Sequence, residues 1–206
     1  MINLSLLDNQ PINFHYIPEG ADIEYYPNYF SELESSLLYK YLLNNIKWQQ
    51  DKIRIFGKEI NLPRLTAWYG DPDKIYTYSG IKMNPMPWTT ELNKIKEKIE
   101  QKSDVIFNSV LLNLYRNGND HHSWHADDEP ELGKNITIGS VNFGESRDFR
   151  LKHKIKKDLE KINIHLEQGS FLLMKPPTQL NWLHSVPKRK KVFNQRINLT
   201  FRYITN

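Results

Sequence analysis

The sequence has 206 residues, with 28 lysines and arginines against 24 aspartates and glutamates, for a net charge of +4. It contains no cysteine, which excludes disulfides, zinc–thiolate sites and thiol catalysis and leaves histidine, aspartate and glutamate as metal ligands. No stretch approaches the ~20 apolar residues of a membrane span, and the first residues lack the basic and apolar regions of a signal peptide. We therefore expect one soluble, intracellular domain.

Two helices are predicted in the first half of the chain. Residues 29–46, "YFSELESSLLYKYLLNNI", combine a capping box of Ser31 and Glu34 with leucines at helical spacing. Residues 89–102, "TTELNKIKEKIEQK", place apolar side chains on one face and charged side chains on the other. Between the two helices, "KIRIFGKEI" (52–60) has a glycine at its centre and predicts a β-hairpin.

The pattern changes to strands from residue 105 onward. The segments there are short, rich in β-branched or aromatic residues, and bounded by glycine, asparagine, aspartate or proline. The predicted strands are 105–115, 136–143, 148–153, 161–166, 170–175 and 196–204. Strands that follow one another without intervening helices favour an antiparallel sandwich or barrel. The expected fold class is α+β, mostly β, with helices packed against a β-rich core.

A possible metal site begins in "SWHADDEP", where His125 and Asp127 stand two positions apart. Residues two apart on a strand point to the same face, so the imidazole and the carboxylate lie side by side. His184, in "NWLHSVP", is the candidate for a third ligand. Two histidines and one carboxylate leave the opposite face of a metal open, as in non-haem Fe(II) oxygenases. Zinc hydrolases use similar ligands, so these three residues alone do not choose between the two.

The C-terminal strand "RINLTFR" adds a second feature. Its apolar residues alternate with four polar ones, namely Arg196, Asn198, Thr200 and Arg202. Two guanidiniums on one strand face are unfavourable unless anions lie over them. A dicarboxylate fits, because each guanidinium binds a carboxylate through two hydrogen bonds. Asn113 and Tyr115 in "NLY" have the same two-residue spacing on a second strand. The sequence thus combines an open-faced metal with a dicarboxylate pocket.

Taken together, these residues resemble the AlkB family of Fe(II)/2-oxoglutarate dioxygenases. The "RxNxTFR" ending is more specific than HxD…H, which many oxygenases share. Residues 55–80, "HADDE", "FGESRDFRLKHK" and "KPPTQLNWLHSVPKRKKV" are similar to the human AlkB homologue 2 branch, which repairs double-stranded DNA. The resemblance implies a double-stranded β-helix, or jelly roll, with flanking N-terminal helices. It implies a single domain over 1–206, with a nucleotide-recognition lid and helix at about 50–104 and a catalytic core at about 105–206.

The resemblance implies that His125, Asp127 and His184 bind Fe(II), with 2-oxoglutarate and O2 as co-substrates. The residues implied for 2-oxoglutarate are Asn113, Tyr115, Arg196, Asn198, Thr200 and Arg202, with Arg196 and Tyr115 at its far carboxylate. The implied reaction is oxidative demethylation of N-alkylated bases in DNA, of the 1-methyladenine and 3-methylcytosine type. Its products are the restored base, formaldehyde, succinate and CO2.

A methyl group on a Watson–Crick nitrogen is reached only when the base is flipped out of the duplex. The resemblance implies that the flipped base is contacted by Tyr76, Tyr78, Ser79 and Asp128. Phe56 would fill the gap in the stack as a wedge. The other implied DNA contacts are Gly57, Lys58, Arg64, Arg147, Lys152 and Lys154. His121 and His122 lie near the site in sequence and are interpreted as loop residues, because their spacing to Asp127 is poor and the family motif leaves them out.

The expected partner is alkylated DNA, double-stranded because of the wedge. The protein is expected to be a monomer, nuclear in a eukaryote and otherwise cytoplasmic. Two alternatives stay open, the same chemistry on RNA or single-stranded DNA and a non-catalytic nucleic-acid-binding module. A zinc hydrolase does not explain the two arginines of "RINLTFR". Trp124 and Trp68 are bulkier than the branch pattern, and either would narrow the pocket or shift the base preference.

Overall fold

The computed structural model describes residues 2–3, 14–55, 58–74, 76–78 and 81–205. In chain order, the elements are β1 (Ile2–Asn3), β2 (Phe14–Tyr16), β3 (Asp22–Tyr26), α1 (Glu32–Asn45), β4 (Lys52–Ile55), β5 (Lys58–Asn61), β6 (Leu65–Gly70), β7 (Tyr76–Tyr78), β8 (Ile81–Met83), α2 (Thr90–Ser103), β9 (Ser109–Tyr115), β10 (His122–His125), β11 (Ile138–Gly144), β12 (Arg147–His153), β13 (Ile162–Leu166), β14 (Phe171–Lys175), α3 (Thr178–Asn181), β15 (Trp182–Val186) and β16 (Arg196–Arg202). A 3-10 turn spans Pro130–Leu132. Within these ranges, no helix is both long and apolar enough to cross a membrane.

Two facing sheets form the body of the protein. One has the strand order β1-β13-β12-β15-β10, and the other has the order β2-β3-β14-β11-β16-β9-β6. The short β1–β13 pair is parallel, and the other pairs within both sheets are antiparallel. Neighbours in the sheets come from distant parts of the sequence, as they do in a double-stranded β-helix. The predicted mostly-β fold with a jelly-roll core is confirmed.

The seven-stranded sheet has a different neighbour on each of its faces. On the inner face, Ile23, Leu172 and Met174 pack with Phe149 and Ile164 of the other sheet. The outer face is covered by the two long helices, through a second buried cluster that includes Leu42, Leu92, Ile95, Ile99, Val110, Leu112, Phe143, Leu199 and Phe201. Strand β16 therefore sends its apolar side chains toward the helices and its alternate, polar side chains into the space between the sheets.

Both predicted helices are present. Ser31 and Glu34 form the predicted capping box of α1. However, the leucine spacing overstates the apolar face of α1, since Leu33 and Leu37 are 71% and 61% exposed. The inward face of this helix is instead centred on Leu42 and on the small, fully buried side chain of Ser35. A small side chain lets the helix approach the sheet closely, and it leaves the extra leucines on the opposite side.

Segments outside the predicted strand region complete the large sheet. Strand β3 pairs with β14, and β6 pairs with β9. The predicted hairpin at 52–60 is confirmed as β4 and β5, and β7 pairs with β8 in a second hairpin. These two hairpins form two-stranded sheets of their own. The large sheet thus draws strands from both sides of residue 105, while the two hairpins stand apart from it.

Replacing Ser31 with alanine removes the side-chain acceptor of the α1 capping box. We expect the free energy of unfolding to fall by about 1 kcal/mol, because the Glu34 backbone N–H loses its partner at the helix start. Urea denaturation followed by circular dichroism measures this change. Ser36→Ala, inside the same helix, is the matched control and should leave stability unchanged or slightly raised. Equal losses in both variants would contradict the cap.

Candidate iron and 2-oxoglutarate site

Pairing of two strands brings the three predicted metal ligands together. His125 at the end of β10 is the register partner of His184 in β15, and Asp127 follows β10 directly. One ligand atom from each of these residues lies within 4.8 Å of the others. The Oδ1 atom of Asp127 is 3.7 Å from Nε2 of His125 and 4.0 Å from Nε2 of His184. Two histidines and one carboxylate therefore point at a common position.

A buried ion pair orients the carboxylate. Arg202 donates to Oδ2 of Asp127 from Nη2 at 2.8 Å and from Nε at 3.2 Å. Burial alone would raise the pKa of Asp127, but the adjacent Arg202 guanidinium outweighs it and lowers that pKa to about 2. The other oxygen, Oδ1, is buried and has no hydrogen-bond partner among the described residues. Arg202 thus holds one oxygen and leaves the second directed at the two imidazoles.

Both imidazoles are in the form that binds a metal. Burial lowers the pKa of His125, and burial together with the neighbouring His125 lowers the pKa of His184 to about 3. Nδ1 of His125 lies 2.7 Å from the carbonyl oxygen of Ser123, and a carbonyl only accepts, so Nδ1–H donates. The lone pair of His125 is therefore on Nε2, which faces Asp127. A neutral imidazole pair and one orphaned carboxylate oxygen fit a divalent iron ion.

The predicted 2-oxoglutarate residues line the same cavity as these ligands. Strands β9 and β16 are neighbours, so Tyr115 pairs with Arg196 and Asn113 pairs with Asn198. The polar cavity residues are Asn113, Tyr115, His122, His125, Asp127, Ser140, His184, Arg196, Asn198, Thr200 and Arg202. Apolar side chains, among them Leu111, Phe149 and Met174, close the remaining walls. The pocket therefore has a metal-binding end and a cationic end.

Arg196 forms the cationic end. It is 1% exposed, its guanidinium lies 5.0 Å from the ring centre of Tyr115, and its Nη2 donates to Asn142. Its Nε and Nη1 atoms are buried without a hydrogen-bond partner in the part of the chain that the structure describes. Burial lowers the pKa of Arg196 to about 10. A buried guanidinium with unpaired N–H groups fits an anionic ligand such as a carboxylate.

The sequence profile of the 2OG-Fe(II) oxygenase superfamily matches residues 22–202, which include all of these residues. The mouse "DNA oxidative demethylase ALKBH2" is 37% identical over 92% of this chain and 83% of its own length, and the human one is 37% identical over 92% and 76%. The human "Alpha-ketoglutarate-dependent dioxygenase alkB homolog 3" is 38% identical over 87% of this chain and 65% of its own length. The chain is an AlkB-family 2OG-Fe(II) oxygenase.

A solved structure supports the fold of this AlkB-family oxygenase. "The structure of OsALKBH1" has a TM-score of 0.64, with 14% sequence identity, 92% coverage of this chain and 99% coverage of that chain. Fe(II), 2-oxoglutarate and O2 are the cofactor and co-substrates of the superfamily, as predicted. The two kinds of curated relative have nearly the same sequence identity to this chain, at 37% and 38%, and the ALKBH2 match covers more of it, 92% against 87%.

The predicted nucleic-acid contacts comprise residues of the two hairpins, residues near the metal ligands and two buried arginines. Phe56, Gly57 and Ser79 lie outside the described residues, and the structure places Lys58 in β5 and Tyr76 and Tyr78 in β7. Near the metal ligands, Asp128 is partly exposed and accepts from Lys154 at 2.7 Å. Lys152 lies 4.4 Å from the ring centre of Trp124, which is itself partly exposed. These side chains form an accessible rim beside His125.

Two predicted DNA contacts need correction, because Arg64 and Arg147 are 1% and 2% exposed. Arg147 donates to the backbone carbonyl oxygens of Asp120 and Pro187. Arg64 donates to Asn113 inside the cavity wall. Both arginines therefore hold the protein together in this structure and do not face a duplex. The sequence pattern located them but carried no information on which way each side chain points.

Two other residues also differ from the sequence interpretation. His122 is not a loop residue, since it begins β10, and it lines the cavity and stacks on His125 with 3.5 Å between ring centres. Burial, with His125 and Arg64 nearby, holds its pKa well below the ordinary value. Trp68 packs in the core between the sheets and is absent from the described cavity lining. The alternation of β10 was the available signal for His122, and a bulge between His122 and His125 obscured it.

Methionine at position 196 tests the cationic end of the pocket. Without 2-oxoglutarate, Arg196→Met should leave the free energy of unfolding unchanged or slightly raised, because a buried guanidinium with unpaired N–H groups is replaced by an apolar chain of similar length. The same variant should lose the stabilisation that 2-oxoglutarate gives the iron-loaded protein. Thermal unfolding with and without 2-oxoglutarate measures both effects.

Arg202→Met is the matched comparison on the same strand face. It should destabilise the protein by about 3 kcal/mol even without ligands, because the buried carboxylate of Asp127 loses its ion-pair partner. Similar losses of stability in the two variants would show that Arg196 is a structural arginine and not a carboxylate-binding one.

Proposed function

We propose that this protein is a DNA repair dioxygenase that removes N-alkyl groups from damaged bases of the 1-methyladenine and 3-methylcytosine type. The observation that carries the proposal is one cavity with two ends. His125, Asp127 and His184 converge at one end, and the under-bonded Arg196 lies at the other. Relatives named DNA oxidative demethylase, similar over most of the chain, supply the substrate class.

The two arginines of β16 lie at different ends of the cavity, so each would bind a different part of 2-oxoglutarate. Arg202 is bonded to Asp127, so it belongs to the metal end, where the keto-acid group of 2-oxoglutarate would bind. Arg196 and Tyr115 are adjacent at the far end, where they would receive the second carboxylate. Asn198 donates to Ser140 and Asn142, which fixes the wall between the two ends. Asn113 and Thr200 line the same wall.

The bound iron and 2-oxoglutarate would supply oxidation of the N-methyl group by O2, with succinate and CO2 as the co-products. The resulting N-hydroxymethyl group would then lose its hydroxyl proton and break its C–N bond, which leaves the electron pair on the ring nitrogen and releases formaldehyde. In this reaction the protein keeps the two imidazole ligands neutral and oriented, keeps the carboxylate of Asp127 ionised through Arg202, and encloses the reacting groups between apolar walls.

Substrate binding would use the hairpins and the rim around the cavity. Tyr76, Tyr78 and Ser79 are proposed to hold the flipped base, and Phe56 with Gly57 and Lys58 to occupy the gap in the duplex. Lys152 and Lys154 flank the metal ligands, and the further basic residues Lys156, Lys157, Lys188, Lys190 and Lys191 are exposed in loops at the two ends of β12 and β15. Exposed lysines in this arrangement fit phosphate groups of a nucleic acid.

The finer substrate preference is a further part of the proposal. We infer double-stranded DNA, from the sequence "IFGK" (55–58) that links the paired strands β4 and β5. We also infer a monomeric enzyme located with the cell's DNA, in the nucleus of a eukaryote or otherwise the cytoplasm. The second candidate is the same reaction on single-stranded DNA or RNA. The observation in its favour is the partly exposed ring of Trp124 beside the metal ligands, since an aromatic face accepts an unpaired base.

Formaldehyde release distinguishes double-stranded DNA from single-stranded DNA or RNA as the substrate. Protein loaded anaerobically with Fe(II) and given 2-oxoglutarate and O2 should release formaldehyde from a duplex with one 1-methyladenine or 3-methylcytosine, at a rate above that on the matching single strand. Phe56→Ala should lower the duplex rate and spare the single-strand rate. A higher rate on single strands would favour the second candidate, and no formaldehyde from any methylated oligonucleotide would overturn the dioxygenase proposal.

Asp127 and Asp128 are expected to have separate roles, metal binding for Asp127 and contact with the base for Asp128. Asp127→Ala should abolish Fe(II) binding, because it removes the carboxylate between the two imidazoles. Asp128→Ala should leave Fe(II) affinity unchanged and lower kcat/KM on the methylated duplex about tenfold, because a hydrogen bond to the exocyclic amine of the base is lost. Calorimetric Fe(II) titration and formaldehyde assays measure these two effects.

The control for the second acid is Asp158→Ala, since Asp158 is an exposed acid of the β12–β13 loop. This control removes the same charge away from the cavity and should change neither quantity. If Asp158→Ala lowered kcat/KM as much as Asp128→Ala, the effect would be one of net charge, and the base contact of Asp128 would be refuted.

A further inference from the structure

His122 and Arg64 have no role in metal or co-substrate binding in the sequence prediction, yet both lie beside residues that do. The ring of His122 stacks on the metal ligand His125, with ring centres 3.5 Å apart and planes 25° apart. Nε2 of His122 is 3.1 Å from Nη2 of Arg64. Nε of the same arginine donates to Oδ1 of Asn113 at 2.7 Å. One buried guanidinium thus connects a residue that touches the metal site with a residue of the 2-oxoglutarate wall.

The stack with His122 restricts rocking of the His125 ring, which would turn Nε2 away from the metal position. The contact from Nδ1 of His125 to the Ser123 carbonyl sets its tautomer but still permits the ring to rock about that contact. A ring lying flat against the face of His125 opposes this rocking. His184 has the same support on the other side of the site, since Phe149 stacks on it with ring centres 5.1 Å apart. Each imidazole ligand therefore rests on a second ring.

The supporting ring on the His125 side is polar, and Arg64 explains why. A guanidinium only donates, so Nε2 of His122 accepts and the proton of this imidazole resides on Nδ1. An apolar ring would support His125 equally well but would remove an acceptor from a buried arginine. Arg64 also contacts the carbonyl oxygen of His121. The guanidinium is thereby fixed between β6, β9 and β10, and it determines the position of the His122 ring.

We propose that His122 and Arg64 are positioning residues that couple the orientation of the iron ligand His125 to the 2-oxoglutarate wall at Asn113. The inference rests on the iron and 2-oxoglutarate site of the proposed function. His122 acts through its ring, which holds His125 for the metal. Arg64 acts through its N–H groups, which hold the His122 ring and the Asn113 amide in one rigid unit. Neither residue is required to touch the substrate.

Two substitutions at His122 test the stacked ring and the Nε2 acceptor separately. His122→Ala removes the stack and the acceptor, and it should weaken Fe(II) binding about tenfold, as is typical when a contact behind a metal ligand is lost. His122→Phe keeps a ring but no acceptor, and it should bind Fe(II) within about threefold of the unaltered protein, while 2-oxoglutarate binding to the iron-loaded form weakens about tenfold. Anaerobic calorimetry with Fe(II) alone, and then with 2-oxoglutarate, measures both affinities without any nucleic acid.

His153→Ala is the matched control. His153 is a buried histidine whose ring also contacts an aromatic ring, that of Trp182, but it is absent from the described cavity lining. This variant should lower the unfolding temperature and leave both affinities unchanged. If His122→Ala binds Fe(II) as tightly as the unaltered protein, or if His122→Phe loses as much Fe(II) affinity as His122→Ala, the proposed role of the stacked ring is overturned.

The same titration distinguishes this inference from the proposed function. An unaltered protein that binds no Fe(II) would overturn the dioxygenase proposal itself. An unaltered protein that binds Fe(II) and 2-oxoglutarate and is indifferent to His122 and to Arg64→Met would leave the dioxygenase standing and overturn only the positioning role. Normal Fe(II) affinity with weakened 2-oxoglutarate binding in Arg64→Met would support the connection through Asn113.

Discussion

The buried ion pair between Asp127 and Arg202 is the interaction on which the site depends. An isolated carboxylate at this depth would take up a proton, and an isolated guanidinium would be costly to bury. Together they keep a negative charge between two neutral imidazoles. The pair also ties the segment after β10 to the last strand of the other sheet. The metal end is therefore assembled only when the two sheets face each other.

Alternation along β16 extends this arrangement over the whole cavity. Ile197, Leu199 and Phe201 pack under the helices, so the intervening Arg196 and Asn198 are forced into the space between the sheets. A slip of one residue in the pairing with β9 would send both arginines into the helix-covered core. Burial of the apolar face of β16 thus fixes the register of its pairing with β9 and, with it, the positions of the polar side chains.

The sequence predicted those parts of the protein that depend on local pattern. Both long helices, the first hairpin and most strands after residue 105 follow from periodicity and turn residues, and the His125–Asp127–His184 cluster follows from spacing and resemblance. The burial of Arg64 and the stacking of His122 depend on which strands become neighbours. Strand order is decided by contacts between distant segments, and a bulge in β10 breaks the alternation that would have indicated His122. The direction of a long side chain such as Arg147 is likewise set by carbonyl groups supplied from other loops.

The way in which Arg202 holds Asp127 also limits how many contacts the protein makes with its metal. A free carboxylate has two oxygens to offer, but Oδ2 is already engaged by two N–H groups and only Oδ1 faces the histidines. The chain therefore contributes three ligand atoms and no more from this triad. On an ion with six ligands, three positions would then be left for the keto-acid group of 2-oxoglutarate and for O2. Arg202, at the end of β16, thus limits the number of contacts that Asp127 can make with a metal.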